Sequence, residues 1–147
     1  MTREQKDLLL KDLCARIPYG VKVSSKIPIN QNGYKDVIGK VTSVHYDNSI
    51  VQVEGFDVIA DYSPHFEIKP YLFPLSSMTE EQKKELNKLS EKECYIIEDV
   101  VNNPTPSNVG FPVVVHYMVD WCNKNHFDYR GLIPMGLAND ATGLNIY

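Results

Sequence analysis

Two pairs of side chains stand at a spacing that helical geometry would place one turn apart. Cys122 and His126 are four residues apart, and so are His116 and Asp120. A thiol beside an imidazole is the pairing of an activated cysteine nucleophile, and the same two residue types make half of a zinc site. On one helix, however, the two pairs occupy largely different faces, so all four cannot converge on one ion. The reading is therefore core packing for Cys122 and a polar contact for His126, with no catalytic residue, no metal ligand and no cofactor expected.

The segment Asp128-Tyr129-Arg130-Gly131 carries a different chemistry. A carboxylate close to a guanidinium can fix its planar fork toward a phosphate or carboxylate, while the tyrosine stacks or donates a hydrogen bond. Asp128, Tyr129 and Arg130, joined by Tyr46 from a set of nine tyrosines, are the candidate ligand-binding residues. The competing account is structural: Asp128 and Arg130 staple the tail to the body. No glycine-rich phosphate loop, HExxH motif, nucleophile elbow or two-carboxylate motif is present, which weighs against an enzyme.

Composition narrows the classes further. The 147 residues are 43% hydrophobic and 23% charged, the balance of one soluble globular domain spanning 1–147. Fifteen basic and 19 acidic residues leave a formal charge of -4, which sets no strong field toward nucleic acid or anionic lipid. Lys22, Lys26 and Lys35 near Tyr19 give only local basic character, short of the continuous stripe a nucleic-acid partner asks for. Cys14, Cys94 and Cys122 are odd in number and lack CxxC spacing, as free thiols in a reducing compartment would be. The N-terminal stretch mixes charges with leucines, and no run approaches the roughly 18 apolar residues of a membrane span. A cytoplasmic protein without a membrane partner is expected.

The elements that must position these residues are legible in outline. Thr2 and Gln5 form a capping box before a helix whose apolar face holds Leu8, Leu9, Leu10, Leu13 and Cys14, and Pro18 and Gly20 end it. From Val21, three β-type runs follow, with turns at Asn30–Gly33 and Asp47-Asn48 and a bulge or close packing near Gly39. Val58-Ile59 and 66–74 supply one or two short strands limited by prolines. Ser77 with Glu80, or Thr79 with Gln82, caps a surface helix whose thin apolar stripe is Met78, Leu86 and Leu89. An exposed loop near 102–112 leads through Pro112 into a helix carrying Val113 to Cys122, and the tail packs back as turns and a short helix. The expected fold is α+β: a small curled antiparallel sheet, an SH3-like partial barrel, packed with three or more helices.

Three blocks carry a family likeness: Leu-Leu-Leu-Lys-Asp-Leu-Cys-Ala-Arg-Ile-Pro-Tyr-Gly-Val (8–21), Ile-Lys-Pro-Tyr-Leu-Phe-Pro-Leu-Ser-Ser-Met-Thr-Glu-Glu (68–81) and His-Phe-Asp-Tyr-Arg-Gly-Leu-Ile-Pro-Met-Gly-Leu-Ala (126–138). They closely resemble an uncharacterised family of small proteins encoded by Bacteroides-type intestinal anaerobes and their prophages. The 102–112 loop departs from that pattern, which is shorter and more acidic there. The resemblance implies a phage or mobile-element accessory protein and brings no activity with it. Three functional expectations follow: a non-enzymatic binder of a host or phage protein, a sequestering protein for a phosphate-containing ligand or nucleotide, and a structural virion component. The last implies a homo-oligomer.

Overall fold

Thr2 opens the first helix with both halves of the box: its hydroxyl accepts from the Gln5 N–H at 3.2 Å, and Gln5 Oε1 accepts from the Thr2 N–H at 2.8 Å. The computed structural model describes residues 1–28, 33–45, 50–54, 56–59, 68–92 and 110–147. Helix α1 covers Arg3–Arg16 and tightens into a 3-10 turn, Ile17–Tyr19, closed by Gly20 at φ 71°. Strands β1 (Lys22–Pro28), β2 (Tyr34–His45), β3 (Ile50–Val53), β4 (Phe56–Ile59) and β5 (Lys69–Leu72) follow. Then come helices α2 (Glu80–Lys92) and α3 (Gly110–Lys124) and the two-residue strand β6 (Asn139–Asp140).

The α+β class holds, but the curled antiparallel sheet and the SH3-like partial barrel do not. The six strands lie in the open order β4-β3-β2-β1-β5-β6, with β4 and β6 at opposite edges. The reason is twofold. The β1–β2 ladder runs through seven residue pairs without interruption, and the one register shift among the described residues, between Val41 and Ser43, is too little to bend the sheet to closure. The tail then returns beside β5 in parallel, Tyr71 opposite Asn139 and Leu72 opposite Asp140, which makes the sheet mixed.

Alternation decides which face is covered. Val51 and Val53 are buried with Gln52 between them, and with Val21, Val23, Val41 and Leu72 they meet Leu9, Leu10 and Leu13 of α1. Burying each such side chain is worth about 1.5–3 kcal/mol, which a 14-residue helix needs because it is marginal alone. The buried face of α1 keeps Leu9, Leu10 and Leu13 of the expected stripe but not Cys14, which is exposed, and it includes the fully buried Asp12 and Arg16.

A second cluster forms at the other helices. Trp121, Cys122 and Phe127 pack with Phe73, Met78, Leu86, Leu89 and Tyr129. Thr79 rather than Ser77 caps α2, trading bonds with Gln82, while the Ser77 hydroxyl donates to the Pro74 carbonyl. The triple valine lies in α3, with Pro112 in its first turn. Residues 102–109 of the expected loop and the turns at 30–32 and 47–48 lie outside the described residues. The tail buries Leu132, Leu137, Ala138 and Ala141 through turns and β6 rather than a short helix. There the Asp128 carboxylate takes the N–H groups of Leu132 and Ile133, fixing a turn where a helix would need them elsewhere.

Gly39 is required by space. A Cβ there would stand 2.5 Å from Val53 Cγ1, a distance real carbons do not reach. Gly39→Ala is expected to cost about 1–3 kcal/mol in urea unfolding, with a less than additive loss when combined with Val53→Ala. Full additivity would show that the close approach is not the cause.

Candidate functional site

The centre of the site is a charge pair on the leucine face of α1. Arg16 and Asp12 stand one turn apart, both side chains fully buried; Arg16 Nε donates to Asp12 Oδ2 at 2.7 Å and Nη2 to Oδ1 at 3.1 Å. The fork then reaches across the chain. Nη1 donates to the Cys122 carbonyl at 3.3 Å and Nη2 to the Phe127 carbonyl at 2.8 Å. These acceptors bracket the end of α3, where a helix presents unpaired carbonyls and partial negative charge.

That end closes as a Schellman motif. Phe127 N–H donates to the Cys122 carbonyl and His126 N–H to the Asn123 carbonyl, with His126 at φ 57° in the left-handed position usually held by glycine. His126 therefore leaves the helix before it can pair with Cys122 at helical spacing. Its ring, 7% exposed, instead stacks on Tyr147 at 3.8 Å and 8°. Burial first, then the nearby Arg16 charge, push the imidazole down to about 4, against a smaller opposite pull from the Tyr19 backbone. Burial pushes the Cys122 thiol up, with Arg16 opposing it, away from the thiolate that nucleophilic or metal chemistry needs. The second pair has other contacts: Asp120 accepts from the Tyr19 hydroxyl, and His116 is exposed beside Tyr117. Among the described residues no group of three or more His, Cys, Asp or Glu side chains could hold a metal.

The Asp128-Tyr129-Arg130 segment divides its work differently from the sequence expectation. Asp128 is buried and serves the turn, accepting at 2.8 Å from both Leu132 and Ile133 N–H. Arg130 is oriented by Asp12 instead, its Nε 3.3 Å from Oδ1 without the alignment of a hydrogen bond. Two guanidiniums thus share one carboxylate. Both also stand over the Tyr129 ring, Arg16 at 5.5 Å and Arg130 at 4.9 Å from its centroid. Arg16 is wholly enclosed, whereas the Arg130 side chain keeps 27% of its surface. Tyr46, the fourth sequence candidate, lies outside the described residues, as do Tyr62, Tyr95 and Cys94.

Buried polar atoms without partners concentrate here. Six such side-chain atoms occur among the described residues, and five belong to 121–130: Trp121 Nε1, Asn123 Oδ1, His126 Nδ1, Tyr129 Oη and Arg130 Nε. Buried polar groups are paired in the great majority of cases, so this grouping asks for a cause.

Sequence reasoning missed Asp12, Arg16 and Trp121 as members of the site. The signal was present: Leu9, Asp12, Leu13 and Arg16 follow i, i+3, i+4, i+7, so the two charges sit on the apolar stripe and must be paired when it is buried. No family model, curated protein or solved structure matches this chain.

Asp12→Ala strands Arg16 as a buried, unpaired charge and is expected to cost about 3–5 kcal/mol in denaturant unfolding. The double variant Asp12→Leu with Arg16→Met should lose clearly less than the sum of its single changes; additive losses would deny the coupling. His126 gives a pH signature. Its imidazole takes a proton near 6.5 when unfolded but only near 4 when folded, so its stability contribution is complete above about 6.5. That contribution falls as pH drops toward 4, by roughly 3 kcal/mol in all. His126→Asn, which tolerates the left-handed backbone, should flatten the stability profile in that window. An equally steep profile in the variant would assign the loss to other groups.

Proposed function

We propose that this chain is a small non-enzymatic binding protein, an accessory factor of phage or mobile-element origin, whose ligand is a phosphate-containing small molecule or nucleotide held at Tyr129 and Arg130. The origin is supported by the three sequence blocks at 8–21, 68–81 and 126–138. One observation carries the ligand: two guanidiniums share the single carboxylate of Asp12 over one tyrosine ring whose hydroxyl has no partner. Arg16 spends its fork on Asp12 and two carbonyls. Arg130 has one loose ion pair and the Tyr129 ring beneath it and keeps 27% of its side-chain surface exposed, the condition in which a guanidinium takes a phosphate or carboxylate. The groups that would serve an enzyme are occupied otherwise, Asp128 by backbone N–H groups and Cys122 by a thiol held neutral.

A host or phage protein as partner is the second reading. It is supported by exposed apolar side chains on two elements, Ile38 on β2 at 57% and Val115 and Tyr117 on α3 at 44% and 49%. Among the described residues no helix is long and apolar enough to cross a membrane.

Native mass spectrometry on protein purified from its own host separates the two. A retained mass of nucleotide size supports the ligand reading, and a retained second protein supports the partner reading. In a panel of nucleotides, a true ligand at a hundredfold excess over its Kd should raise stability by about 2.7 kcal/mol, and Arg130→Ala should abolish the gain. Unchanged melting across the panel together with a bare chain in the spectrometer would sink the ligand reading.

A further inference from the structure

Among the described residues, the apolar hold on helix α2 is a narrow edge. None of its side chains described is buried; Leu86 and Leu89, with Met78 just ahead of the helix, supply the apolar contact to Trp121, Cys122 and Phe127. That is a small grip for a 13-residue helix, a length that does not persist alone in water. What lies under it is more deeply buried than the helix. Trp121 and Phe127 stack at 5.5 Å and 5°, each almost wholly buried, with Phe73 and Tyr129 packed alongside. Tyr129 in turn carries the Arg130 guanidinium against its ring.

The unpaired atoms of this region form a coherent set. Trp121 Nε1 and Tyr129 Oη are donors lacking acceptors, Asn123 Oδ1 is an acceptor lacking a donor, His126 Nδ1 is also unpaired, and Arg130 Nε has only the unaligned ion pair with Asp12. Aromatic faces bordered by donors suit a planar ring bearing an anionic group. Such a ring would stack beside Trp121, its anion accepting from Tyr129 and Arg130 and its amino group donating to the Asn123 amide oxygen. Arg16, Arg130 and Asp12 together carry one net positive charge, which favours that anion.

We propose that α2 is a displaceable lid over a mononucleotide site, the base entering between α2 and Trp121 with its phosphate at Arg130. The proposal rests on the small-ligand reading above and adds the site, the ligand class and the gate. In this arrangement the closed lid competes with ligand, so observed affinity is the intrinsic affinity scaled by the fraction of molecules with the lid open.

Trp121, the single tryptophan of the chain, reports on the site directly. The probes are adenosine and guanosine 5′-monophosphate, with adenosine and inorganic phosphate as controls, titrated against the full chain while tryptophan fluorescence is followed. A monophosphate should quench the signal at lower concentration than either control. Arg130→Ala should weaken binding roughly tenfold or more, the loss of a charged hydrogen bond. Leu86→Ala with Leu89→Ala, which loosens the lid, should tighten binding by about tenfold if the open form is a minor state of the native protein. Should that variant fail to fold, hydrogen exchange on the native chain replaces it: nucleotide should speed exchange in 80–92 while leaving α1 and β1 unchanged. Binding that depends on Arg130 but is indifferent to α2 by either measure overturns the lid and leaves the small-ligand reading standing. No quenching by any probe in any folded variant overturns both, and ordered water then completes the unpaired atoms.

Discussion

One guanidinium holds the two halves of this fold together. Arg16 is fully buried, takes the Asp12 carboxylate in bidentate fashion, and donates to the carbonyls of Cys122 and Phe127 more than a hundred residues away. A charge moved out of water is tolerated only if its desolvation is offset by several well-placed acceptors, and here the offset comes from an acid one turn back and from the negative end of α3. The helix that covers the sheet and the helix that carries the second apolar cluster are therefore fixed relative to each other by polar contacts. Apolar burial alone is non-directional and would set their separation without their register.

The remainder of the tail follows from that anchor. With the Phe127 carbonyl claimed by Arg16, the chain turns at His126 into the left-handed region and runs beside Phe73, whose N–H donates to the His126 carbonyl and whose carbonyl accepts from Asp128 N–H. After the turns of 129–138 the tail pairs in parallel again at β6, and Asn139 Nδ2 donates to the Ser24 hydroxyl at 2.7 Å. Tyr147 then enters the sheet itself. In the β1–β5 ladder Val23 faces Pro70 and Ser24 faces Lys69, so Lys22 and Tyr71 come next. The Tyr147 hydroxyl sits between them, accepting from Lys22 N–H at 3.2 Å and donating to the Tyr71 carbonyl at 2.7 Å. A side chain does there what a strand-to-strand bond would otherwise do. Burial pushes that phenol up to about 12, so the bridge keeps its proton at neutral pH.

The two apolar clusters differ in how strongly their covers are held. The sheet cluster is closed by three buried leucines of α1 and by the buried ion pair, whereas the second cluster is covered by half-buried side chains of α2. Local opening is governed by the buried area a segment brings with it, so α2 belongs to the low-stability end of this structure and α1 to the high end. Two of the residues with an unpaired buried polar atom, Trp121 and Tyr129, belong to that second cluster.

Much of the architecture was readable along the chain because it is encoded within a few residues of each position. The Thr2–Gln5 box, the stop at Pro18 and Gly20, the Thr79–Gln82 cap, the alternation of Val51 and Val53 and the close packing at Gly39 are all local signals, and the structure contains each of them. The sheet's shape was not local: an open mixed sheet rather than a curled antiparallel one depends on where the tail returns, and no spacing in the sequence states that. The site divides the same way. Arg130 and Tyr129 are candidates by their chemistry alone, and a short-range rule assigns Asp128 to hold the arginine. Asp12, 118 residues earlier in the chain, holds it instead. The sequence by itself determined the caps, the periodicities and the residue types able to meet an anion; only the tertiary structure decided which carboxylate faces which guanidinium. Pairing of buried charges is settled by three-dimensional proximity and desolvation, and neither is a property of sequence separation.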